Sequence, residues 1–246
     1  MPELPAVIIV VEGSSDVRVV RGFAERALLE VAPDFTPALL EWRGLDDGTP
    51  FVRWSGVLEE IRKRRIVRRY GHFKGAVSED PREIYAYRAR NALTLCHACG
   101  LPLAVVLVCD ADSQPERLEG LKQARADHES FYESEYPIVV GVADPCREAW
   151  VLCGFEPRDH EQPALLEKTK ELTFDPTRAA HKLNTSNSPR HAKRVLEFLT
   201  NGDLDREELC WSKAEFLTLH SSGLKCGLQA YLEEVQQRLV VLFGAK

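Results

Sequence analysis

Three long aliphatic runs constrain the fold of this chain more than any other feature. They are VIIVV at 7–11, LAVVLVCD at 103–110 and YPIVVGVAD at 136–144. None of them alternates with polar residues, as a strand with one solvent-exposed face would, so each predicts a strand buried on both faces. Helical periodicity separates the runs, and this order predicts an α/β protein with a parallel sheet and helices on both faces.

Further elements are expected between these strands. Apolar residues recur at helical spacing over 16–30, 82–99 and 116–134, which predicts three helices. ALLEW at 38–42 predicts one more short strand. These segments complete a Rossmann-like α/β core.

The C-terminal part of the chain carries a different pattern. After about residue 145 the strand pattern disappears, and the apolar spacing predicts helices alone. Ser188 and Pro189 are typical of a helix start, with a capping hydroxyl before a proline at the first helical position. We therefore expect an α/β core over 1–145 and a helical portion over 146–246 that packs on it. The helices are expected at 148–155, 163–173, 188–199, 210–220 and 227–243.

The composition is that of a globular protein with room for a substantial core. The chain has 246 residues, of which 44% are hydrophobic and 28% charged. No stretch approaches the roughly 18 consecutive apolar residues that cross a bilayer. Pro2, Glu3 and Pro5 do not fit the basic and then apolar start of a signal peptide. We expect a cytoplasmic protein without a membrane segment.

The seven cysteines favour reduced thiols. Their number is odd and most have apolar neighbours, unlike a disulfide framework. Cys96 and Cys99 have the CxxC spacing of zinc ligands, but no second pair with matching spacing completes four ligands. Neighbouring positions on one helix are the favoured interpretation of this pair.

A dense basic segment lies inside an acidic protein. The window RWSGVLEEIRKRRIVRRYGHFK at 53–74 has eight Lys or Arg and two Glu, a local charge of +6 in a chain of net charge −6. Such a segment predicts either a surface that binds nucleic-acid phosphates or a solvated helix face that pairs with acidic residues elsewhere. The candidate nucleic-acid-binding residues are Arg62, Lys63, Arg64, Arg65, Arg68 and Arg69.

Carboxylates follow the two strongest strands. Glu12 ends the first run, and Asp110 and Asp112 end the second. Residues at i and i+2 of an extended chain point to the same side, and ligands of open parallel sheets bind at the carboxyl ends of the strands. If the two strands are neighbours, these three carboxylates converge.

Converging carboxylates indicate a cation site. Such groups repel one another and raise each other's pKa unless cations are bound. Oxygen ligands without histidine or thiolate favour Mg²⁺ or Mn²⁺. A carboxylate cage around one or two such ions is typical of phosphodiester chemistry.

The stretches VVEGSSD at 10–16 and VLVCDAD at 106–112 resemble the TOPRIM domain of topoisomerases, bacterial primases, RecR-type recombination proteins and OLD-family nucleases. The resemblance covers roughly residues 5–145. It implies that Glu12 acts as general acid or base and contacts metal, and that Asp110 and Asp112 hold Mg²⁺.

Two residues beside Glu12 have supporting roles in this interpretation. Gly13 is expected to let the chain turn so that the carboxylate of Glu12 faces the cleft, and Asp16 is expected either to cap the next helix or to support Glu12.

Two departures from the TOPRIM pattern are visible. The long separation between Glu12 and Asp110 implies an insertion, assigned to residues 44–80, which carry the basic segment. Asp112 is followed by Ser-Gln-Pro and not by a glycine turn, which leaves the geometry of that loop open.

Similarity to OLD-type nucleases and to small stand-alone TOPRIM-like proteins implies further residues. Glu148 corresponds to a later acidic position and would be a fourth metal ligand, although a first-turn glutamate also interacts favourably with a helix dipole. Lys182 and Lys193 are candidates for the lysine that these nucleases place near the second metal, with an ordinary surface role as the alternative.

Several functions compete with a nuclease. Haloacid-dehalogenase-type phosphotransferases also carry Asp-x-Asp after a strand, but near the N-terminus and with Thr or Val where this chain has Gln114. Glycosyltransferases with DxD leave Glu12 unexplained, and strand-end acids that merely cap turns remain an alternative. A non-cleaving nucleic-acid-binding or regulatory module is the competing class.

Length and missing motifs restrict the TOPRIM interpretation to a small nuclease. A topoisomerase would be larger, and a primase would carry a zinc module. The chain contains no Walker A sequence, so ATP-dependent control would require a partner ATPase, as expected for an effector of an anti-phage or toxin-like system. The choice between DNA and RNA, and between monomer and homodimer, stays open.

Overall fold

A five-stranded parallel sheet forms the centre of the computed structural model, which describes residues 6–67, 79–100, 102–132 and 136–243. β1 has β4 on one side and both β2 and β3 on the other, and β5 lies beyond β4. The predicted parallel sheet is confirmed. The strands are β1 (Ala6–Val11), β2 (Glu41–Arg43), β3 (Val52–Arg53), β4 (Ala104–Asp110) and β5 (Ile138–Ala143).

The helices lie on both faces of this sheet. Three come between the strands as predicted, α2 belongs to the basic segment, and the part after β5 is mostly helical. Single 3₁₀ turns occur at Pro37–Leu39, Trp54–Gly56, Ala180–Lys182 and Val240–Phe243. The α-helices are α1 (Ser14–Val31), α2 (Val57–Lys63), α3 (Pro81–Ala98), α4 (Arg117–Tyr132), α5 (Arg147–Cys153), α6 (Gln162–Leu172), α7 (Ala192–Thr200), α8 (Leu204–Ser212), α9 (Phe216–Ser222) and α10 (Leu228–Leu239).

Each face of the sheet has its own hydrophobic cluster. On β4, Val105 and Leu107 belong to the cluster covered by α2, α3 and α4, whereas Val106 and Val108 belong to the one that contains α1 and the helices after β5. Successive residues of a strand point to opposite faces. The uninterrupted aliphatic runs are thus explained by burial on both sides.

The helical C-terminal portion packs directly on the α/β core. Tyr231 of α10 is fully buried, stacks on Trp150 with 4.9 Å between ring centroids, and donates its hydroxyl to the carbonyl of Val20 at 2.9 Å. Phe23 of α1 meets the edge of Trp150. Helices from both parts of the sequence therefore share one core.

Some predicted boundaries are wrong. The helix predicted over 210–220 is two helices, α8 and α9. The helix predicted from Ser188 begins at Ala192, because the Ser188 hydroxyl donates to Asn184 at 3.0 Å and Asn184 pairs with His191 in an isolated bridge.

Shorter elements also differ from the prediction. The short strand predicted over 38–42 is present as β2 but begins at Glu41, because Ala38 and Leu39 belong to a 3₁₀ turn. The two-residue strand β3 was not predicted.

The helical placement expected for Cys96 and Cys99 is confirmed. Cys96 lies within α3 and Cys99 at its C-cap, and both are free thiols. None of the described helices is long and apolar enough to cross a bilayer.

Gly227 provides a test of the contact between α10 and the sheet. Its φ is +83°, and a Cβ there would lie 2.2 Å from the carbonyl oxygen of Val142. We expect Gly227→Ala to lower the free energy of unfolding by about 2–4 kcal/mol, the sum of a left-handed backbone and an overpacked core. Gly202→Ala is the matched control, since Gly202 has a φ of +67° and a Cβ there would have no atom within 4 Å. We expect this control to lower the free energy of unfolding, measured by urea denaturation, by about 1 kcal/mol. Equal losses for the two variants would contradict the contact between Gly227 and Val142.

Candidate functional site

The carboxyl ends of β1, β4 and β5 meet at one edge of the sheet. Val10 pairs with Leu107, and Asp110 pairs with Ala143, so the three strands end at similar levels. After β1, the chain adds β2 and β3 on one side of β1 and then adds β4 on its other side. The order of strands therefore reverses between β1 and β4, which makes this position the topological switch point. This is where ligands of open α/β sheets bind.

The predicted acidic residues lie at this edge. Glu12 follows β1 directly, Asp110 is the last residue of β4, and Glu148 is in the first turn of α5, just after β5. Asp112 is fixed by its backbone N–H, which donates to the carbonyl of Pro145 at 3.1 Å. We call Glu12, Asp16, Asp110, Asp112 and Glu148 the carboxylate cluster.

Asp110 has a strongly raised pKa within the carboxylate cluster. Burial, followed by the charges of Glu12, Glu148 and Asp16, raises the pKa of Asp110 from 3.8 to about 8. The backbone N–H of Arg147 donates to its Oδ1 at 2.9 Å and opposes this rise. Burial and neighbouring carboxylates thus dominate the environment of the Asp110 carboxyl.

The pKa of Glu12 is also raised, although its side chain is exposed. Removal of water by the surrounding protein raises the pKa of Glu12, and the charges of Asp112 and Asp16 raise it further, whereas Arg117 lowers it. A carboxylate with a raised pKa accepts and returns protons more readily near neutral pH. These properties suit a general base.

Asp16 caps α1, which was one of the two roles expected for it. Its Oδ2 accepts the backbone N–H of Gly13 at 2.7 Å, which caps α1. Its Oδ1 lies 2.9 Å from Nε of Arg147. Gly13 itself is extended, with φ −153° and ψ 172°, so the structure does not require glycine there for a sharp turn.

Arg147, which sequence reasoning missed, connects the cluster. Its side chain contacts Asp16, and its backbone N–H donates to Asp110. Its Nη2 also lies 3.0 Å from Oε1 of Glu148, which is buried. Burial raises the pKa of Glu207 on α8, and the charge of Arg147 opposes this rise. The sequence signal was a cation directly before Glu148.

Arg117 is the second missed cation. Its Nη1 donates to the backbone oxygen of Asp110 at 2.6 Å and to Oδ2 of Asp112 at 3.0 Å. Its guanidinium lies 4.3 Å from the ring centre of Tyr85 on α3. The residue is buried, so these contacts fix Asp112 from the side of α4.

The carboxylate oxygens of the cluster are suitable ligands for a divalent cation, but their side chains are not arranged around a common point. Its five carboxylates face two guanidinium groups, and all its side-chain donors are carboxylate oxygens, which Mg²⁺ prefers. Within the part of the chain that the structure describes, no three His, Cys, Asp or Glu side chains are placed to hold a metal ion. Asp112 and Glu148 each contact an arginine instead.

The two candidate lysines are engaged elsewhere. Nζ of Lys182 lies 5.5 Å from the ring centre of Phe174. Lys193, at the start of α7, lies 3.8 Å from Glu197 on the same helix. These contacts favour the ordinary surface role for both.

The basic segment is partly neutralised within itself. Lys63 contacts Glu60 at 3.4 Å, and Arg64 contacts both Glu60 and Asp46. This pairing was one of the two expectations for the segment. Of the other candidates, Arg62 and Arg65 are exposed, while Arg68 and Arg69 lie outside the described residues.

A cleft of about 720 Å³ opens beside Glu12 and Asp112. It lies next to the first turns of α2 and the middle of α3, and the sequence did not predict it. We call it the aromatic cleft. Its main lining residues besides these two acids are Trp54, Tyr85, Tyr87, Arg88, Asn91 and Arg117.

The raised pKa of Asp110 gives a pH-dependent prediction for the metal-free protein. Native Asp110 holds its proton more tightly than the unfolded chain, so stability falls as pH rises from about 4 through about 8. In EDTA, we compare the Tm of Asp110→Asn with that of the wild type at each pH. We expect the Tm of the variant, relative to wild type, to rise by about 4–8 °C between pH 5 and pH 8. Scanning calorimetry measures it, with the exposed Asp159→Asn as control. An advantage independent of pH would contradict the assignment.

Comparisons with known proteins identify no relative of the chain. No protein-family model matches it, and neither a curated protein nor a solved structure does so significantly. What the site can do is therefore inferred from its own residues.

Proposed function

We propose that this protein is a Mg²⁺- or Mn²⁺-dependent nuclease of TOPRIM type that hydrolyses phosphodiester bonds of DNA or RNA. The observation that carries the proposal is the position of Glu12 and Asp110 at the switch point between β1 and β4, where burial and, after it, neighbouring carboxylates raise the pKa of both. A divalent cation would relieve this repulsion.

The fold supports the resemblance on which the proposal draws. VVEGSSD spans the end of β1 and the start of α1, and VLVCDAD spans the end of β4 and the following loop. These stretches lie on neighbouring parallel strands, so the spacing in sequence becomes proximity in space. In this proposal Asp110, Asp112 and Glu148 would hold the cation together with Glu12.

Each residue has a definite task in the proposed reaction. A divalent cation held by these carboxylates would supply Lewis-acid stabilisation of the charge that develops on the phosphate and the leaving oxygen. Glu12 would accept a proton from the attacking water as its oxygen bonds to phosphorus; the P–O bond to the leaving group breaks, and the leaving oxygen takes a proton from solvent. Arg147 holds Asp16 and Glu148 in place, and Arg117 holds Asp112.

A specific observation favours a second candidate, a nucleic-acid-binding module that does not cleave. Arg117 and Arg147 already compensate the charges of Asp112 and Glu148 without a metal ion. In such a module the carboxylate cluster would form ion pairs with these arginines and would hold no metal ion. The partner ATPase and the role in an anti-phage or toxin-like system remain predictions under both candidates.

Metal binding is tested first. Saturating Mg²⁺ should raise the Tm of the wild-type protein, since a ligand at 100 times its Kd adds about 2.7 kcal/mol to stability. Asp110→Asn should lose this shift. Glu167→Gln, at an exposed position of α6, should keep it. If neither Mg²⁺ nor Mn²⁺ shifts the wild-type Tm, the metal site is refuted and the non-cleaving module is favoured.

Cleavage is tested with the variant Glu12→Gln, which removes the proposed base at an exposed position and should leave the fold intact. We expect a loss of about 10²- to 10⁴-fold in the hydrolysis rate. End-labelled single- and double-stranded DNA and RNA with Mn²⁺ provide the assay, and Glu167→Gln should cleave like wild type. Wild-type inactivity on all four substrates, or equal rates for Glu12→Gln, would overturn the catalytic proposal.

A further inference from the structure

We propose that the aromatic cleft binds an unstacked nucleotide of a single-stranded nucleic acid and so selects single strands as substrate. This inference rests on the proposed function, because it places a nucleotide next to the bond that Glu12 and the carboxylate cluster would hydrolyse. It also names a binding site that can be measured without metal and without cleavage.

The size and position of the cleft fit one nucleotide unit. Its volume of about 720 Å³ lies within the range of about 300–1,000 Å³ typical of small-ligand sites. Glu12 and Asp112 form part of its wall, so a ligand in the cleft lies beside the carboxylate cluster. A base can enter such a cavity only after it leaves the helical stack.

Aromatic side chains give the cleft a surface for stacking. Trp54 is half-buried, and its Nε1 donates to the carbonyl of Val108 at 2.7 Å, which fixes the indole. Tyr87 is also half-buried in the lining. Bases of any sequence stack on such rings, because every base has a π-face.

Arg88 adds an uncompensated cation to the same cleft. Its guanidinium lies 5.0 Å from the ring centre of Tyr85, and it forms no ion pair with a described side chain. Burial raises the pKa of Tyr85 to about 12, so the phenol beneath it stays neutral. An exposed arginine held by a neutral ring at the cleft favours a phosphate as its partner.

These features together distinguish the ligand class. The stacking surface favours a base, the free guanidinium favours a phosphate, and the volume excludes a stacked duplex. A single-stranded nucleic acid presents both groups without the cost of unpairing.

Binding is measured in EDTA, so that no cleavage occurs. Trp54 is half-buried, whereas Trp42, Trp150 and Trp211 are buried, so a bound base should quench mainly Trp54. We expect a single-stranded oligonucleotide to quench the fluorescence and to bind at least about tenfold more tightly than its blunt duplex. Labelled DNA and RNA strands, followed by anisotropy, extend the measurement to both substrates.

Two variants test the lining residues. Tyr87→Ala should weaken single-strand binding by about 5- to 100-fold. Arg88→Gln should weaken it and reduce the slope of log K against log salt by about 0.7. The matched controls are Phe198→Ala, an aromatic of α7 that is 40% exposed, and Arg21→Gln, whose side chain is paired with Glu25. Circular dichroism verifies that all four variants fold.

The outcomes separate this inference from the proposed function. Weaker binding by Tyr87→Ala and Arg88→Gln supports the cleft even if the wild type cleaves nothing. Three results would overturn the inference even if Glu12 proves catalytic. They are single-strand binding that neither variant changes, equal affinity for single strand and duplex, and competition by a free mononucleotide as strong as that of the oligonucleotide.

Discussion

The accumulation of negative charge at one edge of a buried parallel sheet is the constraint on which the rest of the structure depends. Aliphatic packing fixes β1 and β4 side by side, and this places Glu12 next to Asp110. The same burial that stabilises the strands removes water from their ends and raises the pKa of both carboxyls. The fold thus creates a local electrostatic cost that other groups must offset.

Two arginines supply that compensation from opposite faces of the sheet. Arg147 joins α1, β4 and α5 through its bonds to Asp16, Asp110 and Glu148. Arg117 joins the end of β4 to α4 and lies against α3 at Tyr85. The geometry of the carboxylate cluster therefore depends on both helical layers, and the edge of the sheet alone does not determine it.

The sequence predicted those features that depend on periodicity and missed those that depend on partners. Continuous aliphatic runs identified β1, β4 and β5, and strand-end acids identified Glu12 and Asp110, because burial on two faces leaves a pattern in the sequence itself. The two-residue strand β3 is too short to carry any pattern. Arg117 and Arg147 look like ordinary surface cations in sequence, since Tyr85, which Arg117 contacts, and Asp16, which Arg147 contacts, come from distant segments.

Arg117 relates the carboxylate cluster to the aromatic cleft, because it contacts Asp112 and lines the cleft at once. Under the proposed function, a divalent cation that takes Asp112 as ligand would compete with Arg117 for the same carboxylate. The guanidinium released from that pair would still be held over Tyr85 and would face the cleft. Its charge would then be available to a phosphate, so that cation binding and nucleic-acid binding would favour each other.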